Sequence, residues 1–157
     1  MAKAREVPGL HAQLSYREAA AATVRVRAEE LFAAREGVLD TEDIERVHAM
    51  RVATRRLRAV LEIYRPCFDA DAYRPVLRDV KALADALGAR RDPDVQLDAL
   101  SVLAAAMPRT DLAGIDLLAD EVRAEQAQGN ELLAVALAET ERSDLHARLL
   151  GLLEDPA

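Results

Sequence analysis

The stretch Val47-His48-Ala49-Met50-Arg51-Val52-Ala53-Thr54-Arg55-Arg56-Leu57-Arg58 lies at the centre of a helical pattern over residues 44–65. At about 100° per residue, with His48 at zero, Arg55 falls at about −20°, Arg51 at about −60° and Arg58 at about −80°. Met50, Leu57, Val60, Leu61 and Tyr64 gather on the opposite half. One face therefore packs, and the other carries a histidine and three arginines over roughly three turns. Arg56, at about +80°, lies at the edge of that stripe. Like charges at i,i+3 and i,i+4 destabilise a helix by roughly a few tenths of a kcal/mol each. Only Glu62 dilutes them here. The stripe is either a solvated face bridged to acids elsewhere in the chain or a surface for an anion.

A second pattern follows Pro66, which stops the first helix. With Lys81 at zero, Arg74 lies at about +20° and Arg78 at about +60°, while Val76, Val80, Leu83 and Leu87 cluster between about 200° and 260°. The short connection Pro66–Ala70 places the two helices side by side. Two adjacent cationic faces make a groove for an extended polyanion. Arg90-Arg91, at the turn expected before the next helix, extends its rim.

The charge distribution singles out the same region. Across 157 residues, 21 Lys and Arg face 28 Asp and Glu, a net charge of −7 that argues against a general nucleic-acid binder. Residues 46–91, however, hold eleven cations against five acids, a net of +6. Residues 1–45 come to −3 and residues 92–157 to −10, so acidic segments enclose one basic segment. Nineteen of the 21 cations are arginine, which reads either as the codon usage of a GC-rich genome, favouring Arg and Ala, or as a choice of the better fork for phosphate oxygens. With 32 Ala and 23 Leu against two Phe and no Trp, the composition predicts an all-α fold. Lone Cys67 excludes an intrachain disulfide, and no apolar run approaches a membrane span. The expected location is cytoplasmic.

Local punctuation divides the rest. A first helix runs from about Ser15 to Arg35 and closes at Gly37; Asp40-Thr41-Glu42-Asp43 opens the second. Asp71 caps a third helix, with Pro75 in its first turn and Gly88 at its end. Asp92-Pro93 then starts a fourth, ending near Met107-Pro108. A fifth begins after Asp111 and either continues through Gly129 to about Glu139 or breaks at Gly129-Asn130. Ser143-Asp144 caps a short last helix ending near Glu154. The expectation is an antiparallel bundle of about six helices, with a leader over residues 1–14 and a single domain over 15–157.

The run from Val47 to Arg58 resembles the signature of the CHAD family, the conserved histidine α-helical domain. Leu87-Gly88-Ala89-Arg90-Arg91-Asp92-Pro93-Asp94-Val95 is similar to that family's "LG..RD.DV" turn. The resemblance implies an all-α fold that binds inorganic polyphosphate on a basic surface. By position it implicates His48, Arg51, Arg55 and Arg58, with Arg56 on the motif, and also Lys81 and Arg91. Arg74, Arg78 and Arg90 come instead from the helical wheels and the turn. Asp92 matches the motif and is expected to cap a helix or to orient Arg91. Family members usually carry two related helical halves, and residues 112–157 hold no second His/Arg helix. The chain thus looks like one half of a two-bundle arrangement, which a homodimer would rebuild. Association with polyphosphate granules is a natural extension.

Other chemistry finds little support. Glu45 and His48 have the E-x-x-H spacing of di-iron bundles, but a second pair is missing and the adjacent arginines repel a cation. No metal or cofactor is expected. Cys67 reads as a buried structural thiol, and His11 and His146 as surface residues. No serine has an elbow-like glycine context, and no phosphate-binding loop of the Walker type occurs. No enzyme is read. The leading expectation is a binding module for polyphosphate, and the alternative is a helical protein–protein adaptor docking acidic partners. A nucleic-acid module ranks third, because Tyr16, Phe32, Tyr64, Phe68 and Tyr73 are not interleaved with the stripe.

Overall fold

The apolar positions marked by helical spacing form one core. Met50, Leu57 and Leu61 from the first basic helix and Val76, Val80, Leu83 and Leu87 from the second are all buried in it. In the computed structural model, which describes residues 3–154, the chain forms five α-helices. These are α1 (Tyr16–Ala33), α2 (Ile44–Ile63), α3 (Ala70–Ala106), α4 (Leu112–Arg142) and α5 (Leu145–Gly151), with a single 3-10 turn (Arg65–Cys67) between α2 and α3. The described residues contain no strand.

Neighbours along the chain are neighbours in space, and α1–α2, α2–α3 and α3–α4 pair antiparallel. The Tyr16 hydroxyl at the start of α1 donates to the Ile63 carbonyl at the end of α2 (2.8 Å). Arg51 of α2 pairs with Asp92 of α3, and Gln126 of α4 donates to Asp94 of α3 (2.7 Å). Ser15 caps α1 through a capping box with Glu18, and Asp144, in left-handed geometry, accepts from the Ala147 amide to start α5. Between α1 and α2, Gly37 adopts a φ of 67°. A Cβ there would lie 2.5 Å from an Arg46 guanidinium nitrogen. Arg46 uses that space to donate to the Glu36 carbonyl (3.0 Å).

Five α-helices stand where about six were expected, because the third and fourth are one. Gly88 does not end a helix, and Asp92-Pro93 does not start one: α3 continues through both for 37 residues, about 55 Å of helix. Asp69, rather than Asp71, caps it, accepting from the Asp71 and Ala72 amides. Pro93 cannot donate to the Ala89 carbonyl, and α4 passes against that carbonyl at Gly129. An ideal Cβ on Gly129 would lie 2.6 Å from the Ala89 oxygen and 2.9 Å from the Arg90 Cα. The absent side chain lets the two backbones meet where the helical ladder is interrupted, and α4 continues through Gly129 unbroken.

The segment read as a leader is tied to the bundle. The Arg5 amide donates to Glu30, and Arg27 donates to the Arg5 carbonyl (2.9 Å) and to Glu30 (2.6 Å). Burial pushes the Glu30 carboxyl up, but the Arg5 amide, Arg27 and the Arg56 charge outweigh it and hold it below the usual carboxylate value. This contribution to stability is present above the ordinary carboxylate range and fades as pH falls through the lowered value.

Candidate functional site

Thr54 shows how α2 turns its cationic side outward. It is buried among Met50, Leu57 and Leu61, and its hydroxyl donates back to the Met50 carbonyl (2.8 Å). The helix is thus anchored along one side, and His48 (half-buried), Arg51 and Arg55 (both exposed) and Arg58 (half-buried) remain on the other.

Arg51 reaches toward α3, and Arg58 toward Glu62 of its own helix. An Arg51 guanidinium nitrogen lies 3.4 Å from an Asp92 carboxylate oxygen. Arg58 Nε donates to Glu62 Oε1 (3.0 Å), and Lys81 Nζ of α3 lies 3.8 Å from the same oxygen. One carboxylate oxygen therefore sits between a cation of each helix, which brings the two stripes to a common groove. Arg55 forms no ion pair among the described residues. Asp92 neither caps a helix nor holds Arg91: it lies mid-helix, exposed, facing Arg51.

The remaining expected residues divide. Arg74 is exposed beside the groove, 3.6 Å from Asp71. Arg78 is exposed but turned toward Asp79 (3.0 Å), whose other oxygen accepts from Arg148 of α5 (2.8 Å). Arg56 lies on the α1 side, lining a recess with Lys3, Arg5 and Glu30. Arg91 is nearly buried, 3.8 Å from Asp94. Arg90 is no rim residue. It is fully buried, paired with Asp94 and donating to Asn130 (3.1 Å), and Asn130 in turn donates to the Leu39 carbonyl (3.2 Å). Because α3 is continuous, Arg90 faces α4 instead of projecting from a turn.

The groove also holds a residue that the wheel omitted. Arg65, in the 3-10 turn, lines a cleft of about 440 Å³ with Glu62, Phe68, Tyr73, Arg74 and Lys81. Extending the α2 wheel by one turn places Arg65 at about −100°, beside Arg58, so the signal was present. Burial, aided by the Glu62 charge, pushes the Tyr73 hydroxyl above its usual range and keeps it protonated at the cleft wall.

The pairs made by Arg51, Arg58, Arg74 and Lys81 are exposed or long, the class that contributes roughly 0–1 kcal/mol. The groove cations are therefore available to an incoming anion that offers better partners. Cys67 is half-buried instead of buried, and His146 is exposed with its ring edge-on to Phe32 (centroids 4.6 Å). Among the described residues no group of three or more His, Cys, Asp or Glu could hold a metal, and no helix is long and apolar enough to cross a membrane.

Neither a curated protein nor a solved structure matches the chain. A family pattern does, over residues 22–157, which include the cationic helix α2, the groove face of α3 and the buried Arg90–Asp94 pair; its description is CHAD domain, and the chain belongs to the CHAD family.

Proposed function

We propose that the chain binds inorganic polyphosphate along the α2–α3 groove and does so without catalysis. The family is one of non-catalytic binding domains associated with polyphosphate. The observation that carries the reading is the Glu62 oxygen shared between Arg58 of α2 and Lys81 of α3. Phosphate oxygens placed there would gain charge-assisted bonds from both helices at once, with Arg forks adding bidentate geometry. Contacts come from His48, Arg51, Arg55, Arg58, Arg74 and Lys81. Arg56, Arg78 and Arg91 add field rather than contacts. Among the described residues no aromatic ring is interleaved with the α2 stripe: Tyr16 and Tyr64 pack on each other (4.9 Å) at the α1–α2 edge, and Phe68 and Tyr73 stack on each other at the end of the groove. The protein would act in the cytoplasm, at polyphosphate granules.

Titration with polyphosphate of defined length, with single-stranded RNA as competitor, tests this. Binding should weaken steeply with salt. Arg51→Ala and Arg55→Ala should each weaken it by about 1.5–3 kcal/mol. Arg109→Ala, between α3 and α4, should change little. Equal losses at all three positions would discard the groove as the site, and RNA competing as well as polyphosphate would discard polyphosphate as the preferred ligand.

The reading extends to self-association. Leu132 and Val135 are exposed on α4 beside Ala82, Ala86 and Ala89 of α3, and together with Asp79, Asp85 and Glu139 they line a mostly apolar groove of about 520 Å³. Packing two copies there would place two cationic grooves in one particle, and polyphosphate spanning both would strengthen the dimer by linkage. Light scattering should show dimer mass rising with polyphosphate. A monomer mass with and without ligand would end this extension.

A further inference from the structure

The α2–α3 groove is different at its two ends. Near Arg51 and Asp92 it lies between the flanks of two helices, and α3 runs on beyond it. At the other end α2 stops at Ile63, the 3-10 turn reverses the chain, and α3 starts at Ala70. Two helices and the turn that joins them wall the cleft on three sides. Phe68 and Tyr73 stack on each other (5.8 Å, 14° between planes) and form part of the wall. Three cations, Arg65, Arg74 and Lys81, line it against one carboxylate, Glu62.

We propose that this cleft receives the terminal phosphate of a polyphosphate chain, so that the groove distinguishes chain ends from chain interiors. The proposal rests on the polyphosphate reading above and adds a polarity to it. An internal phosphate must continue in two directions, and a three-sided cleft at a hairpin turn admits a chain in only one. A terminal phosphate also carries a second ionisable oxygen, as a phosphate monoester does, and reaches a charge near −2 at neutral pH. Three converging cations match that density better than the single charge of an internal unit. Glu62 pairs with Arg58 and Lys81 and competes with an arriving phosphate for them. It sets affinity, while Arg65, which belongs to the turn, sets end recognition.

Calorimetric titration of the full chain with linear hexaphosphate and with cyclic hexametaphosphate, which has no terminal phosphate, tests the idea. The linear form should bind more tightly, and Arg65→Ala should remove roughly tenfold of its affinity. The same substitution should leave the cyclic form within about twofold, because internal units use the open part of the groove. Arg58→Ala should weaken both forms alike, and Arg65→Lys should restore part of the preference. Glu62→Gln should tighten both. If Arg65→Ala weakens linear and cyclic forms equally, the cleft is one more stretch of groove and end recognition is overturned, while the polyphosphate reading stands. If neither form binds the unsubstituted protein, both readings fail together.

Discussion

The inner and outer halves of α3 belong to one helix and have very different surroundings. Residues 70–94 bury Tyr73, Val76, Val80, Leu83 and Leu87 among α2, α4 and α5. Residues 95–106 bury no side chain, and Val95, Val102 and Leu103 are exposed. α4 repeats the division: ahead of Gly129 it buries only Ala119 and Val122, and Leu117 and Leu118 are exposed. The inner half supplies core residues and the outer half supplies none. Isolated helices are marginal in water, and their stability in proteins comes mostly from tertiary packing. The outer hairpin therefore depends on the junction formed by Arg90, Asp94 and Gly129.

Breaking that junction should produce the largest effect. Asp94→Ala leaves Arg90 fully buried without its carboxylate, and should lower unfolding free energy by about 3–5 kcal/mol. Asp98→Ala, exposed one turn further out, should stay within about 0.5 kcal/mol. Urea denaturation measures both. Replacing the pair with apolar residues, Arg90→Met with Asp94→Leu, should recover most of the loss, since a packed apolar pair avoids the desolvation penalty. Gly129→Ala comes next. Alanine gains helix propensity of about 1 kcal/mol, but its Cβ meets the Ala89 carbonyl and the Arg90 Cα, and backbone cannot swing aside. A net loss of about 1–3 kcal/mol should result. A stabilised Gly129→Ala protein would show that α3 and α4 can separate there without penalty.

The same junction explains what could be read from the sequence. The apolar faces of α2 and α3 were legible because a single period runs through each, and the meeting of their cationic faces followed from a short connection. Gly88 and Asp92-Pro93 misled because they are local stop and start signals, and local preference yields where tertiary contacts span the break, here the buried Arg90–Asp94 pair and the close approach of Gly129. Carrying the Lys81 wheel through them would have corrected the site as well. Arg90 falls at about 180° and Asp94 at about 220°, among the apolar residues, while Asp92 falls at about 20°, on the cationic face where it meets Arg51. Their i,i+4 spacing already described an ion pair on an unbroken helix. Arg65 was missed for the opposite reason: it lies beyond the helix end, where periodicity stops but the chain still lines the groove.

The smallest expected effect separates the two halves most cleanly. Gly114 lies in the first turn of α4, and a Cβ there would meet nothing within 4 Å. Gly114→Ala should therefore stabilise the hairpin by about 0.5 kcal/mol, mainly by restricting the unfolded chain. Where that gain appears depends on how the hairpin opens. If the outer half unfolds on its own, hydrogen exchange should slow by about twofold for amides of 95–106 and 112–128. Amides at Val80, Leu83 and Leu87 would then keep their rates if they exchange by a different opening. Their global stability would move only in proportion to the hairpin's share of unfolding. A uniform slowing across both halves would mean that α3 opens as one unit, so that the exposed outer half is as strongly coupled to the core as the inner half that builds it.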